Sequence, residues 1–241
     1  MKQKILISTG GTGGHVIPAI TIYDHLKNEH EVTICTDVRG LKYLDINKFK
    51  IFEIDTPKLN RSILLPFTIL KVFFLTIKSL LLLKKEKIQI LISTGGYMSL
   101  PLCLAGKILN IKIFLLEPNM IIGRANKFFL NFCEKIICYS NYINGLPNKF
   151  KKKIEISSPF IRKQYYEKKF KENNNEIFTI MIVGGSQGAQ IFDEIIHESI
   201  VKISKIKPLK IIHQTSQKKV NFFKKFYSEN NVENIVFNFD N

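Results

Sequence analysis

Three glycine-rich stretches hold the residues of this chain whose types and spacing could do chemistry: STGGTGGH (Ser8 to His15), STGGY (Ser93 to Tyr97) and GGSQGA (Gly184 to Ala189). Glycine admits positive φ and close backbone approach, and a glycine turn that opens a helix leaves the first N–H groups of that helix free. Those groups and the helix dipole favour an anion, above all a phosphate. The first two stretches belong to one seven-residue string, ILISTGG, which occurs at Ile5 to Gly11 and again at Ile90 to Gly96. Each copy reads as a buried strand whose carboxyl end turns through glycines towards a helix. Ligands of open α/β sheets bind at those carboxyl ends, so three glycine turns along one edge predict a diphosphate-bearing ligand, or two.

Known phosphate signatures narrow the choice. The first turn misses the dinucleotide fingerprint G-x-G-x-x-G, because Val16 stands where the last glycine is required. Asp37 closes the second predicted strand, where a ribose-binding acid sits and where a helix cap is equally common. No G-x-x-x-x-G-K-[ST] string occurs, which excludes a nucleoside triphosphate P-loop.

The elements that must position these turns alternate. Strands are expected at Lys4 to Ser8, Glu31 to Thr36, Ile88 to Ser93, Ile111 to Leu116 and Lys135 to Ser140. Helices fall between them at Ile17 to Asn28, opened by Pro18, at Leu100 to Leu109, opened by Pro101, and near Arg124 to Phe132. Such alternation gives a parallel sheet covered on both faces. The polar, Asn-rich run KQYYEKKFKENNNE at 163–176 reads as a domain linker. A third strand, turn and helix follow (Phe178 to Val183, GGSQGA, Gln190 to Ile206), then PLKIIHQ, a helix over Val220 to Tyr227 and the strand NIVFNF. The expected domains are therefore 1–162 and 177–241, the second about half of a Rossmann-like fold.

Composition sets the bounds. With 241 residues, 45% of them hydrophobic, the chain can bury a core, and a formal charge of +16 favours anionic partners: nucleic acid, an anionic membrane surface or phosphorylated substrates. Cys35, Cys103, Cys133 and Cys138 lie in or beside apolar runs without zinc-site spacing, which predicts buried thiols and a cytosolic setting. The apolar part of MKQKILISTGG is too short for a signal h-region. The run ILLPFTILKVFFLTIKSLLLLKK (Ile63 to Lys85) is long enough to span a bilayer, but Pro66, Lys71 and Lys78 oppose that, since each central lysine costs about 2.5–3.5 kcal/mol on insertion scales. Lys71, Lys78 and Lys85 recur every seventh residue, so they share one helical edge and suit a helix lying in the plane of an anionic membrane surface. The alternative is an ordinary buried helix, or two.

STGGTGGHVIPA (Ser8 to Ala19), STGGYMSLP (Ser93 to Pro101), LEPNMIIGRANK (Leu116 to Lys127) and VGGSQGAQIFDE (Val183 to Glu194), in that order, resemble the successive motifs of the MurG family. The resemblance runs through nearly the whole chain. It implies an α/β fold of two Rossmann-like domains of the GT-B glycosyltransferase type, an N-terminal acceptor- and membrane-binding domain and a donor-binding one. It implies inverting, metal-independent transfer of N-acetylglucosamine from UDP-N-acetylglucosamine to an undecaprenyl-diphosphate-linked muramoyl peptide, at the cytoplasmic face of the inner membrane. No cofactor and no nucleic-acid partner is implied. Both substrates carry a diphosphate, as the glycine turns require, and charge builds on the departing UDP.

The acceptor hydroxyl needs a base, and His15 is the candidate: it follows the glycines at a helix start, where the dipole favours neutral imidazole. The alternative is a histidine that only hydrogen-bonds the loop. By resemblance Thr12, Gly13, Gly14, Asn119, Arg162 and Ser186 contact the donor or sugar, and Gly95, Gly96 and Tyr97 the acceptor. Three departures stand out. Leu116 and Pro118 replace the family's histidine and glutamine. Ser158-Pro159-Phe160-Ile161-Arg162 carries serine for asparagine and one extra residue. The family's closing Gly-Ala-Leu-Thr-x-x-Glu segment has no counterpart, so the expectation is a chain inactive by itself. Two other readings stay open, a non-catalytic lipid-acceptor half of a split glycosyltransferase and a nucleotide-cofactor oxidoreductase, the latter opposed by Val16.

Overall fold

A computed structural model describes residues 2–57, 65–162, 165, 177–184 and 190–238. The chain divides into two compact units, Met1–Lys168 and Lys169–Asn241. The expected linker at 163–176 lies, apart from Tyr165, outside the described residues, as does Ser186.

In the first unit β-branched and leucine-rich runs pair as a seven-stranded parallel sheet: β1 (Lys4–Ser8), β2 (Glu31–Thr36), β3 (Ile51–Glu53), β4 (Ile90–Ser93), β5 (Lys112–Glu117), β6 (Lys135–Cys138) and β7 (Ile154–Ile156). Their order is β3-β2-β1-β4-β5-β6-β7, so the winding reverses between β1 and β4. That reversal is the switch point at which open α/β sheets hold ligands. The two copies of ILISTGG are this pair, aligned residue for residue: Ile5 with Ile90, Leu6 with Leu91, Ile7 with Ile92 and Ser8 with Ser93.

Alternation with period two divides the strand residues between two cores. Leu6, Leu91, Ile113, Leu115 and Ile136 enter one core with Leu83, Leu102 and Phe129. Those last three come from α3 (Leu65–Lys85), α4 (Ser99–Ile108) and α5 (Arg124–Phe129). Ile5, Ile7, Ile92 and Leu116 pack instead with Ala19 and Ile22 of α1 (Gly13–Leu26). Helix α4 lies close on the sheet because Gly106 lacks a side chain; a β-carbon there would meet Leu91 Cδ2 at 3.2 Å.

Helix α3 buries a narrow stripe, Val72, Thr76, Ser79 and Leu83. Its hydroxyls are satisfied within the helix, Thr76 donating to Val72 O and Ser79 to Leu75 O. Across the helix Phe67, Phe74 and Leu81 are 60–72% exposed, and Phe73, at the flank of the stripe, is 57% exposed. This is a helix with a large apolar face in solvent, so the buried-helix alternative fails for the described part; Ile63 and Leu64 lie outside it.

The second unit holds a three-stranded parallel sheet among its described residues: β8 (Phe178–Ile182), β9 (Leu209–Gln214) and β10 (Glu233–Phe237), in the order β10-β9-β8. Helices α6 (Gln190–Ser204) and α7 (Val220–Glu229) pack on it around Ile200, Ile211, Phe223 and Tyr227. Two expectations are corrected. Strand β8, which precedes the third glycine stretch, belongs to a different sheet from β1 and β4, and residues 185–189 of that stretch lie outside the described residues. Pro18 lies inside α1 rather than opening it: His15 and Val16 N–H already bond Thr12 O, so the helix starts at Gly13.

Candidate functional site

The switch point is built by continuing the β1–β4 ladder past the strands. Thr94 N–H donates to Ser8 O at 3.0 Å, Thr9 N–H to Cys35 O at 2.9 Å, and Thr94 Oγ1 to Thr9 Oγ1 at 2.9 Å. The chain then leaves the sheet through glycines at positive φ, +82° at Gly11, +91° at Gly95 and +83° at Gly96, a region other residues enter only at a cost.

A buried carboxylate holds the first turn, and another holds the loop after β5. Asp37 stands at the N-cap of the short helix α2 (Val38–Leu41). It accepts from Gly11 N–H (2.8 Å), Gly40 N–H (2.9 Å) and Arg39 Nε and Nη2 (2.9 and 2.7 Å). Burial pushes its pKa up, but the hydrogen bonds from Gly11, Arg39 and Gly40 outweigh that and hold it below the usual carboxylate range. With both oxygens engaged, Asp37 is a cap and a turn clamp, which removes the ribose-binding reading. Glu117, 2% exposed at the end of β5, accepts from Asn119 N–H and Nδ2 (3.3 and 3.1 Å), Gly123 N–H (2.7 Å) and Asn126 Nδ2 (3.0 Å). It folds the Pro118–Gly123 loop back over the strand end.

His15 lies against the second turn. Its Nδ1 is 2.7 Å from Thr94 O. A carbonyl only accepts, so the neutral ring carries its proton on Nδ1 and leaves Nε2 with a lone pair. A β-carbon on Gly95 would stand 3.4 Å from His15 Cε1, and one on Gly96 3.9 Å from Nε2, so glycine leaves the room that the ring and a ligand need. The ring opens on a cavity of about 230 Å³ whose lining includes Gly95, Gly96, Tyr97, Glu117, Asn119 and Arg124. Asn126 also lines it, with its buried Oδ1 unpartnered.

Five of the residues singled out from the sequence are thus brought together: His15, Gly95, Gly96, Tyr97 and Asn119. Thr12, Gly13 and Gly14 form the start of α1, and Thr12 caps it with extended backbone but no side-chain bond. Arg162 is half-buried after β7, takes Tyr165 N–H on its carbonyl and does not line the cavity. Glu117, Thr94 and Asn126 escaped the sequence reading. The one signal for Glu117 was a carboxylate closing an otherwise apolar strand, a position that demands donors.

In the second unit the segment before residue 185 and the helix after 189 are both tied to the end of β9. Gly184 N–H donates to Gln214 Oε1 at 3.1 Å. Asp193, in the first turn of α6, accepts from Thr215 Oγ1 (3.0 Å), pairs with Lys219 (3.2 Å) and lies 3.3 Å from His213 Nε2. Tyr227 OH is 3.1 Å from His213 Nδ1. Burial pushes the His213 pKa down, against the partial opposition of Asp193. The four cysteines are free and buried, and burial pushes Cys35 and Cys103 up to about 12, far from reactive thiolates.

A parallel sheet with two glycine turns facing at its switch point defines a Rossmann-like protein. Residues 5–138 match the Glycosyltransferase family 28 N-terminal domain and residues 179–241 the Glycosyltransferase family 28 C-terminal domain. The chain is 46% identical, over its whole length and 68% of the relative's, to the UDP-N-acetylglucosamine--N-acetylmuramyl-(pentapeptide) pyrophosphoryl-undecaprenol N-acetylglucosamine transferase of Pelagibacter ubique. It is 33% identical to the enzyme of the same name from Rickettsia felis, covering 95% of this chain and 67% of that one. The chain belongs to the MurG family of hexosyltransferases. The MurG structure from Acinetobacter baumannii shares the GT-B fold at a TM-score of 0.73 and 22% identity, covering 98% of this chain and 67% of that one. A UDP-GlcNAc 2-epimerase from Neisseria meningitidis, solved with UDP-GlcNAc bound, shares the fold at a TM-score of 0.65 and 14% identity, covering 99% and 73%.

Proposed function

We propose that this chain serves an inverting, metal-independent transfer of N-acetylglucosamine from UDP-N-acetylglucosamine to an undecaprenyl-diphosphate-linked N-acetylmuramoyl peptide in peptidoglycan synthesis. The observation that carries the reading is the His15 Nδ1 bond to Thr94 O, which leaves Nε2 as a base beside the Gly95–Gly96 turn. In the proposed step the acceptor hydroxyl oxygen attacks the anomeric carbon of the donor. The carbon–oxygen bond to the diphosphate breaks, UDP departs with the bonding pair and Nε2 takes the hydroxyl proton. A single displacement of this kind inverts the anomeric centre.

The charge that grows on UDP is met by preorganised backbone N–H groups and the dipole of α1, which act more strongly on the transition state than on the ground state. We assign Thr12, Gly13, Gly14, Asn119, Arg162 and Ser186 to the donor, and Gly95, Gly96 and Tyr97 to the acceptor. We assign the chain to a peripheral position on the cytoplasmic face of the inner membrane, and the exposed phenylalanines and flanking lysines of α3 support a place on an anionic bilayer surface.

The test is His15→Ala in the chain extended by the remaining third of the Pelagibacter ubique relative. Turnover should fall by about 10²–10⁴-fold, the usual contribution of a general base, while the Kd for UDP-N-acetylglucosamine stays within a few-fold. Turnover within a few-fold of the parent would make His15 a loop-holding residue and end this assignment.

A further inference from the structure

The polar cavity at His15 does not end at its own wall. Tyr97, Arg124 and Ala125 also line a second cavity, of about 580 Å³, whose other walls are Ile69, Val72, Leu100, Leu104 and Phe128. That space is continued by a third, of about 330 Å³, which shares Ile69, Val72 and Leu104 and reaches Ile77 and Ile108. The three form one groove between α3 on one side and α4 and α5 on the other. Its chemistry is graded. Tyr97 and Arg124 stand at the end shared with the His15 cavity, and beyond them the only hydroxyl lining the groove, Thr76, is spent on its own helix. Ile69, Phe128 and Ile108 are 56–62% exposed along it, a cost in water that an apolar occupant would remove.

We infer that this groove seats the first units of a prenyl chain whose diphosphate lies at the Gly95–Gly96 turn beside His15. The inference rests on the acceptor assignment made above and extends it from the head group to the tail. A ligand that is anionic at one end and apolar along its length matches the gradient in the right order: diphosphate at the glycine turn, Arg124 and Tyr97 beside it, then aliphatic side chains. One groove takes one chain, which fits a prenyl diphosphate and not a two-chained glycerophospholipid. The groove also runs alongside α3, whose opposite face is the apolar one in solvent, so a chain leaving at Ile77 or Ile108 passes directly to the surface where a bilayer would lie.

Calorimetry on the 241-residue chain tests this with methyl diphosphate and farnesyl diphosphate, both below micellar concentrations and without membranes. Farnesyl diphosphate should bind about a hundredfold more tightly, as expected when several methylenes leave water. Leu104→Trp, which fills the groove, should erase at least tenfold of that gain and leave methyl diphosphate binding unchanged. Ile69→Asp, at an exposed position that does not threaten folding, should do the same by charge. Equal affinity for the two ligands, or a gain that survives both substitutions, overturns the inference. So does competition by dodecyl phosphate at equal concentration, which would make the groove a general lipid seat. A farnesyl preference in this chain without sugar transfer by the extended chain would leave the groove standing and remove the transferase reading; transfer by the extended chain without a chain-length effect would do the reverse.

Discussion

Glu117 makes four hydrogen bonds from a buried position, and each one shapes a wall of the His15 cavity. Glu117→Gln keeps the shape but turns one acceptor into a donor that faces other donors. It should cost about 1–3 kcal/mol, read as a lower Tm, because buried donors are left unmet. A variant that melts with the parent would show that water replaces the lost oxygen. Gly95→Ala acts through the backbone, forcing a side chain to φ +91° and towards His15; left-handed strain alone costs about 1–2 kcal/mol. Asp37 gives a pH signature. Its folded pKa is depressed, so its contribution to stability is fully present above the unfolded value near 3.8 and is lost as pH falls through the lower folded value. The stability difference between the parent and Asp37→Asn should therefore be flat near neutrality and close in acid.

Among the elements, α3 makes the sharpest prediction. Phe73 and Phe74 are 57% and 60% exposed, and seating both in a bilayer surface is worth up to a few kcal/mol. Phe73→Ser with Phe74→Ser should weaken vesicle binding by about a hundredfold in flotation, and binding by the parent should fall with salt; resistance to salt and alkaline carbonate would mean a spanning helix. The end of β9 predicts a second pH effect. His213 faces Asp193 and His197 of α6 and Tyr227 of α7, and Lys219, between β9 and α7, pairs with the same Asp193. Its folded pKa lies below 6.5, so the unfolded chain binds the extra proton and stability should fall as pH drops from 6.5 towards the folded value. His213→Gln should flatten that slope.

How far these elements were legible depended on where their stability comes from. The bounds of β1 and β2 follow from β-branched runs closed by turn residues, and they match the structure residue for residue. Strands β3 and β7 have three residues each and exist through pairing with β2 and β6, so no local pattern announces them. Likewise the glycine turns were readable, but the Glu117 and Asn126 wall is made by a loop returning across nine residues to a strand end. That return is tertiary and leaves only an odd carboxylate as its trace.

For the molecule as a whole, the second unit leaves both β8 and β10 as edges among the described residues, with Phe178, Met181 and Ile235 about half exposed or more. Open edges with apolar faces invite association. We expect the 241-residue chain to show no transfer in a radiolabelled assay and only weak binding of UDP-N-acetylglucosamine by calorimetry, whereas the extended chain should do both; micromolar binding by the short chain would contradict this. The identical strands at the heart of the first sheet carry a different consequence, one of timing. Thr9 and Thr94 touch across 85 residues of chain, so on a ribosome adding about 5–20 residues per second β1 waits on the order of ten seconds for the strand that completes the switch point. During that interval its only strand partner among the described residues is β2. A second nascent chain on the same message offers a β4 of the same sequence, and the pairing that shapes the phosphate edge is then equally available between molecules.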